Sequence, residues 1–209
     1  MILLVAILAT PALADDTVLV DRVVATVGST PITASEVALE EALHARIADL
    51  PPADRAVFGR LLTEPREPLE AVVFRAILME TPEFASVRIT DDREAYERFS
   101  AFEATFEDRK EAAAFRRSWG LARVDLVEYF RISAVLDHTV ELAVDRGVRV
   151  SEEDERRHFE EHGARMFPGR EFEEVREAVA RQVYEKKFDQ AYQSWRKRLR
   201  ASARLRYLR

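Results

Sequence analysis

The apolar positions of this chain change their period twice. Near the start Val23, Ala25 and Val27 alternate with polar neighbours, Gly28-Ser29 can turn, and Thr30 to Ile32 can return, the pattern of a β-hairpin. From Thr33 onward apolar residues recur every three or four positions, the helical period. At the far end Leu205 and Tyr207 alternate once more within Ala203–Leu208. A two-stranded hairpin is marginal in water, so the C-terminal strand is expected to complete it. The pattern predicts a mainly α, multi-helix fold with a small β-element joining its ends. The terminal strands fall at about 22–33 and 203–208, and the helical lobe at about 34–201.

Punctuation divides the helical stretch. Thr33-Ala34-Ser35-Glu36 is a capping box opening a helix that Pro51-Pro52 ends. A short helix is expected from about Ala53 to Leu62, then an apolar one over Leu69–Met79 that Pro82 stops. Val87-Arg88-Ile89-Thr90-Asp91-Asp92 recurs as Val148-Arg149-Val150-Ser151-Glu152-Glu153, two helix starts of one type, each with a hydroxyl cap and acids in the first turn. Between them Glu107–Ser118 reads as a charged helix ended by Trp119-Gly120-Leu121, and a long helix follows from about Arg123 to Asp145. The last helix, about Phe172 to Ala201, carries one apolar stripe through Val179, Val183, Phe188, Tyr192 and Leu199.

Composition narrows the function classes. The net charge is -6, which argues against a nucleic-acid groove. The basic run Arg196–Arg209 is the exception, and it reads first as a solvated helix end. Residues 1–14 are apolar, too short to span a bilayer, and end in Ala12-Leu13-Ala14 before two acids. That is a signal-peptide pattern, so export is expected, with a single mature domain over 15–209 and no stable membrane insertion. The chain contains no cysteine.

Catalytic patterns are sparse. His158-Phe159-Glu160-Glu161-His162 matches the H-x-x-E-H of inverted zinc peptidases, with Glu173, Glu174 or Glu177 as a further ligand. Glu and His are common on solvated helices, so an exposed face is the expectation. No metal, cofactor or catalytic residue is assigned. The glycines are scattered and form no phosphate loop.

The order of features resembles the SurA-like periplasmic chaperone family. The likeness rests on the strand–turn–strand and capped helix of Asp21–Val37, the two acidic starts, Trp119-Gly120-Leu121 before a long helix, and Phe159-Glu160-Glu161-His162. The last helix through Trp195 into Ala203–Leu208 completes it. Members of that family carry parvulin modules of about 100 residues. Here only a short helix and Phe167-Pro168-Gly169-Arg170 separate the second acidic start from the last helix, so the resemblance implies a chaperone core without an isomerase. It also implies a periplasmic, ATP-independent protein that binds unfolded polypeptides, outer-membrane proteins among them. The alternatives are an adaptor for one folded partner and, behind it, a prolyl isomerase. On this reading the aromatic crowd in the middle third, Phe99, Phe102, Phe106, Phe115, Trp119 and Phe130, is the client-binding candidate: part of it core, part an exposed cradle rimmed by charge.

Overall fold

The computed structural model describes residues 21–87 and 92–208. The expected leader and the first acidic cap, Thr90, lie outside the described residues. Within them the chain is mainly helical, with one three-stranded antiparallel sheet of order β2-β1-β3. Strand β1 (Val23–Val27) returns as β2 (Thr30–Thr33) and pairs on its other edge with β3 (Leu205–Tyr207). The register sets Ala25 opposite Ile32 and Tyr207, and Val27 opposite Thr30 and Leu205. Ala25, Val27 and Ile32 are covered by Val72, Val73 and Ile77 of the helix Pro68–Met79, with Leu199 and Leu205 packed alongside. Side chains reinforce the clasp: Glu70 accepts from Arg200 Nη2 at 3.0 Å and from the Tyr207 hydroxyl at 2.6 Å.

Local chemistry sets the helix ends. Helix α1 (Ala34–Ala48) opens on the expected capping box of Thr33 and Glu36. The single helix expected over 53–62 is instead three pieces: α2 (Pro52–Arg55), a 3₁₀ turn (Ala56–Phe58) and α3 (Gly59–Thr63). Helix α4 is Pro68–Met79. Pro82, expected only to stop it, also begins α5 (Pro82–Ser86), where its missing N–H is not needed and Thr81 caps the Phe84 N–H at 3.2 Å. Helices α6 (Arg93–Glu103) and α7 (Arg109–Ser118) follow. Helix α7 ends at Gly120, φ +64°, with Leu121 N–H bonded to Arg116 and Gly120 N–H to Arg117, a Schellman closure. Then come α8 (Arg123–Asp145), α9 (Glu152–Met166) and α10 (Phe172–Ser202).

Helix α8 is the spine. Its first half packs with α1, α6 and α7 around Phe58, Phe99, Phe102 and Phe130. Its second half packs with α4 and α10 around Leu78, Leu136 and Tyr192. Helix α9 lies against the first half of α10 and closes a separate small cluster of Phe159, Phe172, Val179 and Val183. Among the described residues no helix is long and apolar enough to cross a membrane.

Candidate functional site

An open cleft of about 890 Å³ lies between α3, α6, the second half of α8 and the middle of α10. Its floor depends on one glycine. Gly59 sits at φ +75°, and a Cβ there would lie 2.1 Å from Asp137 Oδ2 and 2.7 Å from Arg98 Nη2. Only glycine lets the backbone run so close over that pair. Beneath it Arg98 Nη1 donates to Asp137 Oδ2 at 2.9 Å and to Ser133 Oγ at 3.0 Å, while Nη2 donates to Glu94 at 2.6 Å. The Leu61 N–H completes Asp137 at 3.0 Å. Arg98 is 2% exposed and Asp137 8%, so this is a buried charge pair with both carboxylate oxygens engaged. Burial pushes the Asp137 carboxyl up, against the pull of Arg98.

At the rim, His138 links two helices. Its Nε2 lies 3.0 Å from Glu94 on α6, and its Nδ1 lies 3.2 Å from Glu141 on α8. A neutral imidazole carries one N–H, so satisfying both carboxylates requires the imidazolium. Burial alone would lower its pKa, but the two carboxylates outweigh that and raise it above 6.5.

The opposite wall belongs to α10. The Tyr184 hydroxyl donates to Asp145 at 2.6 Å; that bond, burial and the carboxylate's charge push the phenol up to about 12. Arg60 pairs with Asp189 at 2.7 Å and lies 5.0 Å over the Phe188 ring. Val57, Val140, Leu142 and Phe188 supply apolar lining; Glu141, Asp145, Arg146 and Glu185 edge it with both signs. Chemically the cleft offers charged and hydrogen-bonding groups on every wall, with half-buried Val57 and Leu142 as its accessible apolar surface.

No protein-family model and no curated protein matches the chain.

The aromatic candidates occupy a different place. Phe99, Phe102, Phe106 and Phe130 are buried core, 0%, 1%, 7% and 0% exposed, so they offer no cradle surface. The reason is packing: Phe102 meets Phe106 at 5.4 Å and Phe130 at 5.6 Å, Phe58 closes on Phe130 at 6.0 Å, and the Arg46 guanidinium caps Phe106 at 3.8 Å. Phe115 and Trp119 keep part of their surface, with rings 6.4 Å apart. They lie on α7 and its cap, outside the cleft lining. Sequence reasoning missed the cleft because its lining comes from α3, α6, α8 and α10. The available signals were Gly59 inside a helical pattern and the His138/Glu141 pair one turn apart.

The H-x-x-E-H stretch does not gather ligands. His158 and His162 share a face, rings 4.8 Å apart, but His158 Nε2 lies 3.2 Å from Gln182 Oε1. Glu173 pairs with Arg156 at 3.1 Å and Glu174 accepts the Glu171 N–H at 3.0 Å. Among the described residues no group of three or more His, Asp or Glu could hold a metal ion.

A second buried network lies where α1, α4 and α8 meet. Glu40, 3% exposed, accepts from Arg75 and, at 3.0 Å, from the Tyr129 hydroxyl, with His44 Nε2 3.0 Å away. Burial would raise its pKa, but His44 and Arg75 outweigh it and hold the carboxyl at about 2. This network fixes helix positions.

Proposed function

We propose that the chain is a periplasmic, ATP-independent binding protein that holds unfolded polypeptide segments, a SurA-like core without an isomerase module. The carrying observation is the open 890 Å³ cleft, with walls of mixed apolar and charged side chains over a floor where Arg98 pairs with Asp137. A site of this kind takes extended chain weakly and reversibly, since ordering a disordered client costs free energy. The sheet that clasps both chain ends around a helical lobe is the architecture the resemblance implies, and it supports the same reading. Outer-membrane proteins are the proposed clients. The holding mechanism needs no catalytic group and no cofactor: apolar client segments bury against the half-buried Val57 and Leu142 while Glu141, Arg146 and Glu185 keep the complex solvated.

The test dilutes a urea-unfolded outer-membrane β-barrel into buffer with near-stoichiometric protein and follows light scattering. Suppressed aggregation without ATP, lost on Leu142→Asp at the half-buried cleft wall in a variant that circular dichroism shows to be folded, is the expected result. Unchanged scattering at several-fold excess refutes the holding function. A single folded partner in pull-down, with no affinity for unfolded chains, replaces it with the adaptor.

A further inference from the structure

The segment Gln190–Arg209 contains seven Lys or Arg and no Asp or Glu, in a chain whose net charge is -6. The fold divides these cations into two sets. Arg196 turns inward to Glu64 at 2.9 Å, and Arg200 to Glu70. Lys197 and Arg198 lie on the solvent side of α10, and Arg204 and Arg206 are exposed at β3. Among the described residues none of these four has an ion-pair partner within 4.0 Å. The register puts Arg206 opposite Thr26, on the sheet face away from the covered Ala25 and Val27. Beside them Tyr207 and Leu208 are 47% and 48% exposed.

The helix dipole accounts for cations in the last turns of α10. It does not account for Arg204 and Arg206, which lie beyond the helix and gain nothing from it. Four cations thus line the end of α10 and β3, and among the described residues no carboxylate within 4.0 Å neutralises them.

We propose that this end of the molecule docks on an anionic lipid surface, with Lys197, Arg198, Arg204 and Arg206 over lipid phosphates and Leu208, which shares the strand face of Arg204 and Arg206, at the headgroup level. Charge complementarity selects an anionic partner, and the apolar Leu208 beside the cations selects a bilayer interface. A phosphodiester backbone gives Leu208 no apolar partner. The acidic remainder of the chain then faces away from the membrane. This surface is separate from the cleft, so the proposal stands independently of the holding function.

The experiment is co-sedimentation of the chain with vesicles of mixed phosphatidylglycerol and phosphatidylcholine, and with phosphatidylcholine vesicles alone, at low and physiological salt. Binding is expected only to the mixed vesicles, weakening as salt rises. Arg204→Gln/Arg206→Gln and Lys197→Gln/Arg198→Gln should each lower affinity, by about fivefold per cation removed. Circular dichroism shows that each variant is folded, and the second pair, on an exposed helix face, leaves the sheet untouched. No binding, equal binding to both vesicle types, or folded variants that bind like the parent overturns the proposal. Tighter binding to duplex DNA than to mixed vesicles overturns it in favour of nucleic acid.

Discussion

Replacing Asp137 by Ala strips the buried Arg98 of its principal counter-charge and leaves the Leu61 N–H without an acceptor. Removing one partner of a buried pair typically costs about 3–5 kcal/mol, because the remaining charge is uncompensated. Glu94, at 2.6 Å from Arg98 Nη2, stays in place and is partly solvated, which puts the expected loss near the lower end, about 3 kcal/mol. Against a total stability of about 5–15 kcal/mol that is a large fraction. For a chain of this size it corresponds to a fall in Tm of roughly 6–12 °C. The assay is urea unfolding followed by far-ultraviolet circular dichroism, with the slope of the transition checked for constancy. The double variant Arg98→Met/Asp137→Leu removes both charges and should recover most of the loss, since a buried pair replaced by apolar side chains is often neutral or better. A loss below about 1 kcal/mol for Asp137→Ala, or a double variant no more stable than the single, refutes the argument that this pair is a mutually dependent buried unit.

Three further outcomes follow from the same geometry. Gly59→Ala should destabilise by about 1–3 kcal/mol or more, from the positive φ and the clash with Asp137, read in the same urea assay; a neutral effect would mean the backbone does not lie over the pair. His138 contributes stability that is fully present below pH 6.5, its unfolded value, and is lost as pH rises through its raised folded value. The urea midpoint of His138→Gln should therefore depend less on pH across that window than the parent's, and parallel profiles would remove His138 as the source. Glu40 has the opposite sign: its contribution is present above 4.5 and lost as pH falls toward about 2. Glu40→Gln should thus be strongly destabilised at neutral pH and approach the parent in acid melts, while a penalty independent of pH would assign the effect to shape instead of charge.

What was legible in the sequence followed from short-range chemistry. Thr33 and Glu36, the Ser151 hydroxyl cap and Gly120 announce helix ends because a cap needs only residues within one turn, and the structure adds Asp154 as the partner that completes the Ser151 box. The terminal sheet was legible because a lone hairpin needs a partner and the alternating Leu205–Tyr207 segment follows the last helix. Gly59 was not, because its meaning comes from Asp137, a residue far along the chain that packs beneath it. The aromatics show the same limit from the other side. The spacing of Phe99, Phe102 and Phe106 is visible in the sequence, but their covering by Phe58, Arg46 and α7 is a tertiary event, and it turns a candidate cradle into core.

Strand β1 lies in the middle of the sheet, and its two edges are filled by the neighbouring β2 and by β3, one of the last segments of the chain. The hairpin closes across one turn, whereas the other edge of β1 is bare until a strand from far along the chain reaches it. Closing so long a loop is entropically costly and slow, so pairing of β3 is the longest-range step the sheet requires. Completion of the sheet therefore marks the tertiary fold: a molecule in which β3 is unpaired lacks the Tyr207 bond to Glu70 and the cover over one edge of β1. It is left with the kind of open strand edge that invites aggregation and degradation.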